Sequence, residues 1–260
     1  MIIIMSKIAS AFKDGKAFIG FLSGGDPSVQ KTEEFIVEMI RAGVDLIEIG
    51  VPFSDPVAEG PVIERATMRA LENGVTMDDL FEMVVRLRQK YDTPMVFMTY
   101  LNPVFRYGYE QFCKRCQETG LDGVIIPDMP FEEQEELRGA ADLYDVDIIT
   151  LIAPTSKERV EQIAKNSKGF LYLVSSMGVT GVRGEITSDF SDMTAAVRAV
   201  SDIPAAVGFG ISTPQQAAEI AHVADGVIVG SAIVKIIEEH RDNAGSFLYD
   251  YVKEMKDAIR

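Results

Sequence analysis

Eight short runs rich in β-branched and other apolar residues recur along the chain, and amphipathic segments separate them. The runs cover residues 17–22, 44–50, 95–99, 123–126, 147–152, 170–175, 205–207 and 226–229. The segments with helical spacing between them cover residues 29–42, 77–90, 109–119, 132–144, 157–166, 192–200 and 213–223. This alternation is typical of βαβ units in an α/β protein with a parallel sheet. Eight units favour a closed (β/α)₈ (TIM) barrel over an open sheet, although periodicity alone does not separate the two.

Three further helical segments complete the predicted architecture. A short helix over residues 6–12 precedes the first strand, and a helix over residues 244–256 follows the last. The long interval between Gly50 and Tyr100 predicts an added helix over residues 62–72 in the second βα unit. The 260 residues contain no linker or low-complexity stretch. Because one such barrel takes roughly 250 residues, we expect a single domain over residues 1–260.

The charge balance argues against two classes of partner. The chain has 25 Lys and Arg against 40 Asp and Glu, a formal net charge of −15, which repels nucleic-acid backbones and anionic membrane surfaces. The sequence also lacks the run of about eighteen apolar residues that a membrane-spanning helix requires. We therefore expect a soluble, cytoplasmic protein that binds neither nucleic acid nor membranes. The opening Met1–Ile4 is too short for a signal sequence, and Met5 is an alternative start to Met1.

The cysteines and histidines do not predict a metal or redox site. Cys113 and Cys116 have C-x-x-C spacing but lie in a helical segment, and the chain has no second cysteine pair to complete four ligands. Nothing in the sequence near His222 or His240 suggests a catalytic triad or a ligand set. All four residues are interpreted as ordinary helix positions.

A carboxylate interrupts the apolar second strand at Glu48. Because strand residues alternate faces, Val44, Leu46, Glu48 and Gly50 should share one side, which we expect to face the barrel lumen. An apolar lumen raises the pKa of a carboxyl group, so Glu48 would be partly protonated near neutrality and able to act as acid and base. The alternative is a structural glutamate paired with a basic residue, although none of the eight strand runs carries Lys or Arg.

Other candidate site residues follow the later strands. Tyr172 alternates with Phe170 and Val174, so its hydroxyl should point into the lumen, where it would serve either packing or substrate binding. Glycine-rich turns at 208–210 and 230–231 follow the last two strands, where barrels often bind phosphate through backbone N–H groups and a helix N-terminus. A third turn, 178–181, could close over the same site.

In these residues and the segments around them, the chain resembles the tryptophan synthase alpha subunit family over essentially its whole length. The segment 46–60 is similar to that family's signature, and residues 172–181, 208–212 and 230–234 match further blocks in order. The resemblance implies a (β/α)₈ barrel that cleaves indole-3-glycerol phosphate into indole and glyceraldehyde 3-phosphate. It also implies transfer of indole to a pyridoxal-phosphate-dependent beta subunit in an alpha2beta2 complex, with no cofactor in the alpha subunit.

The resemblance also assigns roles by position. Glu48 corresponds to the acid/base glutamate and Glu59 to the second catalytic carboxylate, where the family usually has Asp. The implied substrate-binding residues are Phe21, Tyr172, Thr180, Phe209 and Ile228, and the implied phosphate-binding residues are Gly181, Gly210, Gly230 and Ser231. Loops that face the beta subunit in the family carry Asp55, Asn102 and Pro103. Asp55 between two prolines is equally well interpreted as a turn or N-cap residue.

Three alternative functions differ from this one. Another phosphate-binding barrel, such as a sugar-phosphate isomerase or an indole-forming synthase, would generally need a Lys, Cys or Asp at the strand ends. This chain offers only Asp128 there and lacks a lumen lysine. A catalytically silent barrel that only activates a beta subunit is disfavoured because both carboxylates are present. A standalone lyase that releases free indole would have the same active site, so the sequence leaves it open.

Overall fold

Eight parallel strands form the centre of the fold. The computed structural model describes residues 7–174, 183–208 and 210–260, and in this part of the chain the strands close into a barrel in sequence order. The strands are β1 (Ala17–Ser23), β2 (Leu46–Gly50), β3 (Met95–Met98), β4 (Gly123–Ile125), β5 (Asp147–Ile152), β6 (Leu171–Leu173), β7 (Ala205–Gly208) and β8 (Gly226–Val229). Each pairs in parallel with the next, and β8 pairs with β1. The prediction of a closed barrel is confirmed.

Helices follow the strands and surround the barrel. They are α1 (Lys7–Ser10), α2 (Val29–Ala42), α3 (Pro61–Glu72), α4 (Met77–Arg88), α5 (Leu101–Tyr107), α6 (Tyr109–Thr119), α7 (Glu135–Leu143), α8 (Lys157–Asn166), α9 (Arg183–Arg198), α10 (Pro214–Ala221), α11 (Ser231–His240) and α12 (Gly245–Ala258). Local sequence fixes several ends: Ser28 caps α2, and Thr76 with Asp79 forms a capping box on α4. The predicted added helix is α3, and it begins with Pro61, whose missing N–H has no partner to lose at that position.

Apolar side chains pack in two layers. A small inner cluster fills the lumen with side chains from all eight strands or their flanks, closed from below by Ile8 of α1. A larger outer cluster lies between the strands and the helices and includes Phe35, Phe81 and Leu248. Cys113 and Cys116 are free thiols buried in that outer layer, on α6, and burial raises the pKa of Cys113 to about 11. Both layers hold the strand ends, and the loops after them, in fixed positions.

The alternation predicted for the second strand is wrong at Val44. Strand β2 begins at Leu46, and Val44 packs in the outer layer rather than in the lumen with Leu46. The turn after α2 explains the difference, because Gly43 ends that helix in a left-handed conformation and the amide of Val44 still bonds to Met39. Residues before the ladder therefore do not share its alternation.

The largest differences from the predicted helices are at α5, which was not predicted, and at the start of α9. Residues 101–103 were expected in a loop but form the start of α5, since Pro103 lies in the first turn, where a missing N–H costs no helix bond. Asp128 accepts a hydrogen bond from the amide of Leu101 at 2.9 Å and satisfies the start of that helix. Helix α9 begins at Arg183 rather than near residue 192. The prediction placed its start too late because the regular apolar spacing that it relied on begins only around Phe190.

Candidate active site

A cavity of about 440 Å³ opens at the carboxyl ends of the strands. Strands β1, β2, β3, β6 and β8 supply lumen-facing side chains to its floor, and the loops after β2, β7 and β8 supply its walls. The lining residues are Phe21, Glu48, Ala58, Glu59, Val62, Ile63, Met98, Tyr172, Gly208, Gly210, Ile211, Ser212, Ile228, Gly230, Ser231, Ala232 and Lys235. Eight of the candidate residues from the sequence are among them, so residues far apart in the chain meet at one mouth.

Glu48 is the buried carboxyl of this cavity. It pairs in register with Phe21 of β1 and Val96 of β3, and its side chain is 1% exposed. Its Oε2 atom has no hydrogen-bond partner among the described residues. Burial raises the pKa of Glu48 from 4.5 to about 8, and no basic group among the described residues opposes that shift. The ion-paired alternative is therefore not what the described residues show, and Glu48 is a mostly protonated acid at neutral pH.

Glu59 lines the same cavity from the loop between β2 and α3. Its Oε1 accepts a hydrogen bond from the Tyr100 hydroxyl at 3.3 Å, and its Oε2 accepts one from Thr67 Oγ1 at 3.4 Å. Burial raises the pKa of Glu59, and the two hydroxyl contacts oppose that shift. The two carboxyls thus have different surroundings: Glu48 is enclosed by apolar groups, whereas two hydroxyls orient the half-buried Glu59.

Tyr172 lies on the floor beside Glu48. Burial, and then the charge of Glu48, raise the pKa of its phenol well above the usual value, so the hydroxyl stays protonated. Its ring lies directly against Gly208, where an added Cβ would come within 2.5 Å of the Tyr172 hydroxyl. The glycine at the end of β7 therefore makes room for the tyrosine ring. A glycine that served only to form a turn would not need to lie against a side chain in this way.

The side of the cavity formed by the loops after β7 and β8 is suited to an anion. Gly230 and Ser231 begin α11, and no side chain caps that N-terminus in the described part of the chain. Free N–H groups and the positive end of the helix dipole favour a phosphate there. Gly210 faces the same region with a φ of +51°. Lys235, one turn into α11, is the one basic residue among the described residues that line the cavity.

The remaining candidates fall into two groups. Thr180, Gly181 and Phe209 lie outside the described residues. Asp55, Asn102 and Pro103 lie away from the cavity: Asp55 is exposed and accepts a hydrogen bond from Ser54, and the other two belong to the first turn of α5. These loops nevertheless surround the same end of the barrel.

Sequence reasoning missed several lining residues. Met98 could have been found, because it alternates with the lumen residue Val96 on β3. Lys235 could have been found as the residue four positions after Ser231, on the same face of α11. Nothing in the sequence points to Tyr100 and Thr67 as the partners of Glu59, since they are 41 and 8 residues away and on different elements.

A larger groove of about 620 Å³ lies elsewhere, between α2 and the start of α12. Its charged lining residues are all acidic: Glu33, Glu34, Glu38 and Asp242. Three of these carboxylates are already paired, with Arg86, Lys31 and Arg41. The groove shares no lining residue with the cavity at the strand ends, and its charge would repel an anionic ligand.

Comparisons with known proteins agree with this geometry. A family model described as "Tryptophan synthase alpha chain" matches residues 8–260. A tryptophan synthase alpha chain of Lactiplantibacillus plantarum is 46% identical over 256 residues, which cover 98% of this chain and 97% of that protein. One of Lacticaseibacillus casei is 43% identical with 98% and 96% coverage. The crystal structure of the alpha chain from Legionella pneumophila superimposes with a TM-score of 0.90 at 34% identity, covering 98% and 97% of the two chains.

Proposed function

This chain belongs to the tryptophan synthase alpha chain family, and from that premise we propose how its cavity carries out the family's lyase reaction. The reaction cleaves indole-3-glycerol phosphate into indole and glyceraldehyde 3-phosphate. The observation that supports the mechanism most strongly is Glu48, a buried carboxyl with an unpartnered oxygen and a pKa raised to about 8. A group that is protonated before the reaction can donate to carbon and then accept a proton back.

The bond to be broken joins C3 of the indole ring to the hydroxyl-bearing carbon of the glycerol chain. In the proposed step Glu48 gives its proton to C3, which leaves a positive charge on the ring nitrogen. Glu48, now a carboxylate, removes the proton from the adjacent hydroxyl. The carbon–carbon bond then breaks, its electron pair restores the indole ring, and the oxygen becomes the carbonyl of glyceraldehyde 3-phosphate. One proton is delivered and one is taken, so the enzyme returns to its starting state.

Glu59 is proposed to hold the indole N–H while the positive charge develops. It lines the same cavity as Glu48 and is oriented by Tyr100 and Thr67. Two carboxyls are needed because one cannot reach both C3 and the nitrogen of a planar ring. Burial raises the pKa of both carboxyls, but only at Glu59 do two hydroxyl contacts oppose that shift, so the two groups are not equivalent.

The remaining lining residues are proposed to bind the substrate. Phe21 and Ile228 offer apolar walls for the indole ring, with Tyr172 beside Glu48. Gly210, Gly230 and Ser231 would hold the phosphate through backbone N–H groups, with Lys235 as the counter-charge. The family resemblance adds Thr180 and Phe209 to the substrate pocket and Gly181 to the phosphate site.

A beta subunit that accepts indole is the proposed partner, in an alpha2beta2 assembly. The proposed contact surface includes Asp55, Asn102 and Pro103. Two exposed apolar side chains near these residues support it, because Val57, on the loop after β2, and Phe105, on α5, are 76% and 66% exposed. A membrane-spanning helix is not found in the described part of the chain. We propose a cytoplasmic location because the family's biosynthetic substrate is a phosphorylated metabolite.

The test is indole release by the purified full-length chain. Because the substrate carries the same indole ring as the product, the released indole is separated from the substrate by organic extraction before it is measured. Because general acid/base catalysis typically contributes 10²- to 10⁴-fold, Glu48→Gln should lower the rate by at least about 100-fold. Near-normal turnover in that variant would overturn the assignment. Equal rates with and without a beta subunit would favour the standalone lyase.

A further inference from the structure

A network of four charged side chains joins the helix that follows Glu59 to the helix that begins at the phosphate end. Arg65 of α3 donates two hydrogen bonds to Glu238 of α11, each of 2.8 Å. Arg69, one turn further along α3, donates to the same carboxylate at 3.1 Å. Arg69 also donates two hydrogen bonds, of 2.8 and 2.7 Å, to Asp26, which follows β1. Glu238 therefore receives both arginines of α3.

Burial strengthens the Arg69–Asp26 end of this network more than the Arg65–Glu238 end. Asp26 is 1% exposed and the Arg69 and Glu238 side chains are 19% and 21% exposed, whereas Arg65 is 53% exposed. Bidentate contacts between arginine and carboxylate have fixed geometry as well as charge. The hydrogen bonds from Arg65, followed by those from Arg69, lower the pKa of Glu238 to about 2. Glu238 is thus ionised at every pH at which the protein would work.

The fully buried part of α3 is small. It consists of Ala66, Thr67 and Ala70, while Val62 and Ile63 are only partly buried. Ala66 packs with Val234 of α11 and with Phe21 in a small cluster that is separate from the two main layers. Small side chains bury little apolar area and so contribute little free energy. The ionic network must supply more of the attachment than it would for a helix with a large apolar face.

Both helices begin at the active site. Helix α3 begins two residues after Glu59, and Thr67 on the same helix donates a hydrogen bond to that carboxylate. Helix α11 begins at Ser231, and its residues Ser231, Val234, Lys235 and Glu238 lie on one face. A shift of α3 against α11 would therefore change the distance between Glu59 and the phosphate end of the cavity.

We propose that Glu238 is a positioning residue: it holds Arg65 and Arg69, fixes α3 against α11, and so sets the place of the Glu59 carboxylate relative to the bound phosphate. The proposal rests on the function proposed above for the cavity. In this proposal Glu238 does not touch the substrate. Its contribution is made through Glu59, and loss of its charge should affect the chemical step more than the folded state.

The first test does not depend on activity. Hydrogen exchange of the full-length chain is measured for Glu238→Gln and for the control variant Glu38→Gln. Glutamine keeps the shape of residue 238 and leaves the Arg69 contact to Asp26. Glu38 also pairs with an arginine, Arg41 at 2.8 Å, but on α2 and away from the cavity. We expect faster exchange across α3 in Glu238→Gln alone. Unchanged exchange in α3 would overturn the proposal.

The second test asks whether the effect passes through Glu59. Single-turnover indole release is measured for Glu238→Gln, Glu59→Gln and the double variant. Coupling through a packed network is worth about 3- to 30-fold, so Glu238→Gln should lower the rate of the parent chain by that factor. In the Glu59→Gln background the same change should have almost no effect, and Glu38→Gln should have none in either. An equal loss in both backgrounds would show a merely structural role.

The two proposals fail in different ways. A wild-type chain that releases no indole would contradict the proposed function, while the exchange experiment would still report on the attachment of α3. An active wild type with additive effects of Glu238→Gln and Glu59→Gln would leave the function in place and overturn the positioning role alone.

Discussion

At the scale of single residues, the most informative side chain is one that destabilises the protein. Glu48 is buried at 1% exposure in an apolar setting, and one of its oxygens lacks a partner among the described residues. Such a carboxyl remains protonated in the folded state but ionises freely in the unfolded chain. A residue that lowers stability and is still placed at the centre of a cavity is a strong functional candidate.

This placement predicts a pH-dependent stability difference. The pKa of Glu48 rises from 4.5 to about 8 on folding, so the unfolded state gains stability from ionisation as pH rises through that interval. The free energy of unfolding that Glu48 takes from the protein grows by about 1.4 kcal/mol per pH unit between the two pKa values. It reaches its full size above the folded pKa. Glu48→Gln should therefore be more stable than the parent chain by roughly 2–4 kcal/mol near pH 7, measured by urea unfolding at pH 5, 6, 7 and 8.

The slope of that difference with pH is the decisive quantity. The gain should be small at pH 5 and should increase up to pH 8. Glu132→Gln is the matched control, because a hydrogen bond from its own backbone and then the contact with Arg159 lower the pKa of Glu132 instead. That control should show no increase with pH. A constant difference for Glu48→Gln would contradict the assigned burial.

Glu59 gives a second prediction at this scale. The family usually carries aspartate here, but Tyr100 and Thr67 reach this carboxylate at 3.3 and 3.4 Å. Aspartate would withdraw the oxygens by about one bond length, roughly 1.5 Å, which is beyond hydrogen-bond distance from both hydroxyls. We expect Glu59→Asp to lower the rate of indole release by about 3- to 10-fold, within the usual worth of a hydrogen bond.

Tyr100→Phe and Thr67→Val serve as controls for Glu59→Asp. Each removes one of the two hydroxyls and should produce part of the same loss. A higher rate in Glu59→Asp would mean that the longer side chain weakens the step and that the loop has not adapted to it.

At the scale of elements, the end of β7 shows how close the backbone approaches a side chain that lines the cavity. An added Cβ at Gly208 would lie 2.5 Å from both the hydroxyl and a ring carbon of Tyr172. We predict that Gly208→Ala pushes Tyr172 into the cavity and lowers kcat/KM for indole-3-glycerol phosphate by about tenfold or more, since misplacement by 1 Å can cost that much. Steady-state kinetics of the purified variant provide the measurement.

Gly139→Ala tests whether that effect is local. Gly139 lies in α7, and an added Cβ there meets no atom within 4 Å. Alanine in a helix interior is favourable by about 0.5–1 kcal/mol, so this variant should be slightly more stable and fully active. Unchanged kcat/KM in Gly208→Ala would show that the tyrosine can move without consequence.

At the scale of the whole molecule, the closed barrel collects the loops after its strands at one end. The same end carries the cavity and, on its rim, the exposed Val57 and Phe105. If a beta subunit binds over this rim, removing one polar contact should weaken the complex without changing the isolated chain. We predict that Asp55→Ala lowers affinity for a tryptophan synthase beta subunit by about 3- to 30-fold, measured by titration of the stimulation of indole release.

Asp142→Ala is the control for Asp55→Ala. Asp142 is also exposed and paired, with Lys168 at 2.6 Å, but it belongs to α7 on the side of the barrel. It should leave the titration unchanged. Undiminished stimulation of Asp55→Ala would indicate that Asp55 is only a turn residue.

The elements of the fold were largely predictable from local sequence. Helices α2, α6 and α8 have the predicted bounds, because apolar spacing marks all three, a capping serine precedes α2 and α8, and a left-handed glycine follows α2 and α6. The misses occurred where local signals compete. Pro103 suggested a loop although it fits the first turn of α5, and Val44 continued an alternation that begins only with the ladder at Leu46. The extension of the domain over all 260 residues stays a prediction.

The sequence by itself determined the alternation of strands and helices, the placement of Glu48 in an apolar strand, and the glycine turns after the last strands. These are properties of neighbouring residues, and local conformational preferences and periodicity are enough to show them. Only the tertiary structure decided that the sheet closes and that Tyr100 and Thr67 orient Glu59. It alone also brought Glu238 to Arg65 and Arg69, 173 and 169 residues away. Such contacts depend on how distant elements pack, because no local pattern encodes the distance between two side chains on different helices.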